Sequence, residues 1–267
     1  MSDLAKLPEV NPDVPNAARM YDYFLGGSHN FAADRAAADK TEAVLPWVRQ
    51  AVHANREFLA RAVRFCLAEG VDQFLDLGSG IPTVGNVHEV ARAIEPNARV
   101  AYVDNEPVTV ASAAALLADD PLSTITAADM RDPQAVFNAP GVRDLLDLSR
   151  PVGLLTVAVL HFVPDDEDPW QIVRDYRADL VPGSFHALSH ATADFDPEEA
   201  AATEAIYRRT ANPIHSRTAG SIAQLLDGTD LVEPGLVDAR LWRAPEDTDP
   251  AAQRRGFIAG IGRIREP

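Results

Sequence analysis

Cysteine, lysine, net positive charge and long apolar runs are what this sequence has least of. Cys66 is its only cysteine. No disulfide can close within the chain, and a reducing compartment suits it. Cys66 sits in the apolar stretch Val63-Arg64-Phe65-Cys66-Leu67, where a buried, inert thiol is expected. Lysine occurs only at Lys6 and Lys40, and arginine supplies the other bases. Acids outnumber bases by 40 to 24, for a net charge of -16. A surface of that sign repels phosphate backbones and anionic lipid, so neither nucleic acid nor a membrane is an expected partner. No run of 18 apolar residues occurs, so no spanning helix is expected. Residues 1–15 carry Pro8, Pro12 and Pro15 but no apolar core of signal-peptide length. They read as a flexible arm, and a cytoplasmic location follows as an expectation. Histidines are scattered without metal-ligand spacing, so no metal is expected.

What is present is enough apolar material, 46% of residues, for a sizeable core. Asn16 is placed to cap a helix over residues 17–25, which Gly26-Gly27 ends. Further helices are predicted over residues 31–44 and 52–69. After residue 70 the pattern changes to short apolar runs alternating with helical segments. Strands are predicted over 73–77, 99–103, 123–127, 152–159 and 185–189. Helices are predicted between them over 85–94, 108–117, 133–146 and 170–180. That alternation, with near-continuous apolar strands, predicts a mostly parallel sheet with helices on both faces. Helices over 197–210 and 221–226 form an insertion near 195–228. Strand candidates at 236–242 and 257–264 bring the sheet to seven, although Gly260 and Gly262 weaken the last. The expected division is an N-terminal arm and helical lid or extension over 1–70, then a Rossmann-like domain over 71–267.

Four stretches carry chemistry, each at the end of a predicted strand. The first is Phe74-Leu75-Asp76-Leu77-Gly78-Ser79-Gly80-Ile81-Pro82-Thr83. Glycines there let backbone approach a ligand at the carboxyl edge of the sheet. Gly78, Ser79 and Gly80 form the turn. Asp76 would put negative charge beside a dinucleotide's pyrophosphate, but it suits the amino group and sulfonium of S-adenosylmethionine (SAM). Thr83 also replaces the third glycine of the dinucleotide fingerprint. An NAD-dependent oxidoreductase is therefore disfavoured. The second stretch, Tyr102-Val103-Asp104-Asn105-Glu106, ends a strand on a carboxylate that can accept two ribose hydroxyls. The third, Asp129-Met130-Arg131-Asp132-Pro133, offers an acid for an adenine amino group and a side chain to pack on the ring, though Asp129 or Asp132 equally suits a helix cap. The fourth, Ala158-Val159-Leu160-His161-Phe162, lies beside the point where a doubly wound sheet reverses its order. His161 suits a general base or a hydrogen-bonded pocket wall.

Asn16–Phe31, Asn55-Arg56-Glu57-Phe58-Leu59, Phe74–Thr83, Tyr102-Val103-Asp104-Asn105-Glu106-Pro107 and Leu160-His161-Phe162-Val163-Pro164-Asp165 together resemble the S-adenosyl methyltransferase family first catalogued as an actinobacterial domain of unknown function. The resemblance spans most of the chain. It implies a Rossmann-like class I SAM-dependent methyltransferase fold and bound SAM, and no particular acceptor. It places cofactor contacts on Tyr21, Gly78, Ser79, Gly80, Asp104, Asn105, Asp129, Met130, Ala158 and His161. The expected activity is methyl transfer to a small molecule. The alternative is a SAM-binding protein without transfer activity. Tyr21, Tyr23, Phe24, His29 and Phe31, beside Gly26-Gly27, read either as a lid over the sulfonium or as a docking helix. Arg19 or Arg56 is the candidate partner of the SAM carboxylate.

Overall fold

A computed structural model describes residues 9–83, 85–249 and 256–265. Residues 1–8 of the predicted arm lie outside the described residues, as do residues 250–255. Three helices precede the sheet: α1 (Ala17–Phe24), α2 (Ala32–Val44) and α3 (Val48–Ala68). Asn16 caps α1 as its residue type predicts, its Oδ1 accepting the Ala18 and Arg19 N–H groups at 2.8 and 3.4 Å. Gly26 ends the helix at φ +81°, a conformation glycine adopts without strain. Gly27 has no positive φ. Its requirement is steric, since a Cβ there would lie 1.9 Å from Asp22 Oδ1. Helix α3 begins four residues earlier than predicted, directly after the Pro46 turn.

The rest alternates: β1 (Gln73–Leu77), α4 (Val87–Arg92), β2 (Arg99–Asp104), α5 (Pro107–Leu116), β3 (Ser123–Ala127), α6 (Pro133–Asn138), α7 (Pro140–Arg143), β4 (Gly153–Val157), α8 (Pro169–Ala178), β5 (Phe185–Ala191), α9 (Pro197–Tyr207), α10 (Ala219–Gln224), β6 (Thr229–Leu231), β7 (Val237–Asp238) and β8 (Phe257–Ile264). The single helix predicted over 133–146 is two, because Ala139, held extended before Pro140 at ψ 135°, breaks it. The sheet order is β3-β2-β1-β4-β5-β8-β6, with β7 also on β8. Strands β1 to β5 are parallel and β8 runs antiparallel to β5.

The strand count is eight, not the seven expected. Thr229–Leu231 pairs with Gly262–Ile264, and Val237–Asp238 pairs with Ile258–Ala259 on the same edge of β8. The outermost lane is thus one strand interrupted by the turn at Gly235, and eight strands fill seven lanes. The two glycines that weakened β8 as a sequence pattern are the places where that lane approaches. A Cβ at Gly262 would lie 2.0 Å from Thr229 Oγ1, and one at Gly260 3.2 Å from Leu236 Cδ1.

Period-2 alternation distributes β1 between two cores. Leu75 and Leu77 join the cluster containing Val136, Ile172, Tyr176 and Leu225. Phe74 faces the other way, among Phe58, Ala62, Cys66 and Trp242. Asp76 shares the face of Phe74, under α3, and Asp104 shares the face of Val100 and Tyr102 on β2. Strand alternation therefore sends both carboxylates to the same side of the sheet. Burial pushes the Cys66 thiol up to about 12, consistent with an inert core group. Among the described residues no helix is long and apolar enough to cross a membrane.

Candidate functional site

The sheet order reverses between β1 and β4, which opens a crevice beyond their carboxyl ends. Two tight turns abut there. Gly78 (φ +65°) lies so close to Val159 that a Cβ would come within 2.2 Å of its Cγ2. Ala158, directly after β4, is itself left-handed at φ +55°. A non-glycine residue in that region is strained, and such strain gathers at functional sites. Gly80 (φ +68°) has open space where a Cβ would stand.

The first turn is stitched to β2. The Gly78 and Ser79 N–H groups donate to Val103 O at 2.8 and 3.2 Å. The Gly80 N–H donates to Asp104 Oδ2, and the Glu106 N–H to Asp104 Oδ1, both at 2.9 Å. The Asn105 N–H also acts on this carboxylate, whose two oxygens have about four acceptor positions between them. Burial raises the Asp104 carboxyl to about 6, against the downward pull of the Glu106, Gly80 and Asn105 N–H groups and with the Glu106 charge adding to the rise. Asp76 is buried and raised to about 7, by burial first, with Arg56 drawing it down and the Asp104 charge pushing it up. The Ser79 hydroxyl is buried with no hydrogen-bond partner among the described residues.

These groups line one cavity of about 530 Å³, within the usual range of ligand pockets. All eleven residues singled out from sequence lie on it: Tyr21, Asp76, Gly78, Ser79, Gly80, Asp104, Asn105, Asp129, Met130, Ala158 and His161. Asp129 accepts the Arg131 Nε–H at 2.9 Å, and Arg131 reaches on to Glu167. Its carboxyl is lowered, the Arg131 pairing outweighing the opposing effect of burial. The other candidate cap, Asp132, does cap α6 through the Ala135 N–H. Met130 is buried and its carbonyl accepts the Tyr176 hydroxyl at 2.9 Å.

His161 is buried, with Nδ1 accepting the Ala191 N–H at 3.4 Å. That pattern leaves its proton on Nε2. Desolvation, then the charges of His190, Arg217 and His215, hold the imidazole well below its ordinary value. Behind it, His190 donates from Nδ1 to Ala191 O and accepts Arg217 Nη1 at Nε2. His161 is thus a neutral ring in the pocket wall, packed 4.4 Å from Phe162.

The N-terminal helices roof the cavity and are fastened at several points. Tyr21 accepts from Asn55 Nδ2 at 3.0 Å, Asn55 Oδ1 accepts from Ser189 Oγ at 2.6 Å, and Ser189 Oγ accepts the Ala158 N–H at 3.0 Å. This chain links α1, α3, β5 and the strained turn after β4. Asp22 accepts the Thr83 hydroxyl at 2.7 Å. Arg19 pairs with Asp34 at 3.0 Å and with Glu106 at 3.1 Å, nearly without exposure. It is therefore committed to a buried structural cluster, which withdraws it as a partner for the SAM carboxylate. Arg56 does line the cavity, near Asp76.

Sequence reasoning missed the other half of the wall. Trp47, Tyr207, Asn212, Ile214, His215 and Phe257 come from the α2–α3 corner, the helical insertion and the start of β8. None carries a local motif. Only chain reversal brings them in, through contacts such as Ala211 N–H to Pro15 O at 2.8 Å. Among the described residues no cluster of three metal-ligating side chains occurs.

Known proteins share this fold. A DUF574 family protein from Streptomyces avermitilis superposes with a TM-score of 0.90 at 35% identity, covering 95% of this chain and 100% of that one. A candidate methyltransferase from Thermobifida fusca superposes with a TM-score of 0.90 at 39% identity, covering 95% and 96%. The N-methyltransferase NodS from Bradyrhizobium japonicum shares the fold alone, at 15% identity and a TM-score of 0.50, over 80% and 97%. Comparison with curated proteins gives no match. The model of the S-adenosyl methyltransferase family matches residues 4–265. With that match, the parallel sheet and the crevice at its switch point, this chain belongs to the S-adenosyl methyltransferase family, as a SAM-dependent methyltransferase.

Proposed function

We propose that the cavity holds SAM at the carboxyl edge of the sheet and a small-molecule acceptor beneath the helical roof. The observation that carries this is continuity. One cavity runs from the acids Asp76, Asp104 and Asp129 to the residues of α1, α3 and α9. Asp76 takes the cofactor's α-amino group, because a buried acid gains most from a cation placed beside it. Asp104 takes the ribose hydroxyls on its remaining acceptor capacity, with Asn105 beside it. Asp129 and Met130 form the adenine wall. Gly78, Ser79 and Gly80 give backbone access, and the unpartnered Ser79 hydroxyl is free to meet the ligand. Arg56 is the cation for its carboxylate. SAM supplies the electrophilic methyl group. The chain's part is to align the acceptor with it and keep water out.

The hydrogen-bond pattern favours His161 as a positioning wall over a general base. Its Nδ1 is occupied and its Nε2 carries the proton, so it offers a donor to the cavity. Tyr21 serves as part of the roof. The domain reading follows the same division: residues before 70 roof and brace a catalytic domain formed by the remainder.

The test is a thermal shift. S-adenosylhomocysteine (SAH) should raise the melting temperature, and NAD at equal concentration should not, by mass action on the native state. A larger shift with NAD would refute the cofactor assignment. Product formation with an acceptor panel then separates transfer from binding alone.

A further inference from the structure

We infer that the acceptor is an uncharged aromatic molecule, a class whose members carry their nucleophile as a neutral group such as a phenolic hydroxyl. On transfer the sulfonium–methyl bond breaks, the methyl bonds to the phenolic oxygen, SAH is left neutral at sulfur, and the phenolic proton is released to solvent. This rests on the reading that SAM occupies the acidic half of the cavity.

The two halves of the cavity differ in chemistry. Its acids stand at strand ends or in the turns behind them. Asp76 is the penultimate residue of β1, Asp104 ends β2 with Glu106 just beyond it, Asp129 follows β3 and Glu167 lies in the turns after β4. Most are already matched. Glu106 pairs with Arg19, and Asp129 and Glu167 share Arg131. Arg56 comes from α3 and acts on Asp76.

The half beneath the roof is built otherwise. Phe24, Leu45, Val48, Val52, Tyr207 and Ile214 belong to one apolar cluster, and each also lines the cavity. One further ring, Phe162, lies 6.4 Å from that of Tyr207 and 30° from parallel. His161 is held neutral, and burial raises the Tyr21 and Tyr207 phenols, so they stay protonated. Among the described residues lining the cavity, none from α1, α2, α9 or residues 208–218 is a carboxylate, lysine or arginine; the one roof cation, Arg56 of α3, acts on Asp76, and His215 is the one further imidazole.

An ammonium or carboxylate moved into such a wall loses its hydration without a partner. Alkyl amines and carboxylic acids are both ionised near neutral pH. A flat neutral ring instead gains contact with aromatic walls. The indole N–H of Trp47, buried without a partner among the described residues, adds a donor on the same wall.

The experiment uses the whole chain saturated with SAH and three probes on one scaffold: 4-phenylphenol, biphenyl-4-carboxylate and (biphenyl-4-yl)methylammonium. Calorimetry at neutral pH should show the phenol binding at least about tenfold tighter than either ion. Ile214→Glu, in the loop between α9 and α10, should keep SAH affinity within about twofold and abolish the phenol's advantage. If SAH itself does not bind, the proposed function fails. If SAH binds while an ion matches or exceeds the phenol, or none of the three binds, only the acceptor inference falls. It falls too if folded Ile214→Glu keeps the full preference. The wild-type comparison decides without the variant.

Discussion

Acidification is the perturbation that isolates Asp76. Its carboxyl is raised to about 7 because it is buried, with Asp104 nearby and Arg56 only partly compensating. If Asp76 holds the α-amino group of the cofactor, binding requires its ionised form. The ionised fraction of a group titrating near 7 is roughly one tenth at about pH 6 and roughly three quarters at about pH 7.5. SAH affinity should therefore rise about eightfold over that interval, or ~1.2 kcal/mol. Asp104, raised to about 6, adds a smaller rise in the same direction. Apo stability should move oppositely. With a folded value above the unfolded one, the native state binds the proton more tightly between about pH 4 and 7. The contribution is thus full below the unfolded value and is lost as pH rises through 7. Calorimetry gives the affinities, and thermal melts of apo protein give the stability trend. Asp76→Asn should flatten most of both slopes and raise the apo melting temperature at about pH 7.5, since an amide avoids the desolvated charge. A flat wild-type affinity across the interval, or an unchanged slope in the folded Asp76→Asn protein, would refute the reasoning.

Other substitutions probe the supports of the site. Asp104→Ala strips the acceptor from the Gly80 and Glu106 N–H groups. It should cost about 1–3 kcal/mol in a urea melt as well as weakening SAH. Arg19→Met leaves Asp34 and Glu106 buried without their cation. A loss of about 3–5 kcal/mol is expected, and full stability would show that the pair contributes nothing. Gly27→Ala drives a Cβ into the Asp22 carboxylate. It should lower apo stability by about 1–3 kcal/mol and raise hydrogen exchange over residues 17–31. In the wild type, those residues should be equally protected with and without SAH, because the anchors hold without ligand. Ligand-dependent protection there would identify a moving lid.

Much of the architecture was written locally. Apolar runs of strand length, separated by helix-period segments, suffice to determine a parallel sheet, because strands buried on both faces admit few polar positions. The motif turns were equally legible. Gly78 and Gly80 stand where backbone must be left-handed, Asn16 where a helix needs its first donors satisfied, and Asp76 and Asp104 where strands end. That both acids face one side was not legible locally, because it depends on the β1–β2 register that sets Asp76 opposite Tyr102. Other features depended on what arrives from far along the chain. Gly27 reads as half of a helix stop until Asp22 is seen filling its space. Gly260 and Gly262 read as strand breakers until the edge lane closes on them. Arg19 reads as a ligand cation until Asp34 and Glu106 enclose it. The apolar half of the cavity had no signature at all, since Leu45, Tyr207 and Ile214 are ordinary core residues in sequence. Backbone conformation and strand-end chemistry are set within a few residues, so sequence determines them. Which side chains share a cavity depends on packing between segments as distant as Ala17 and Asn212, whose backbone N–H and side-chain oxygen meet at 3.2 Å, and only the tertiary structure decides that.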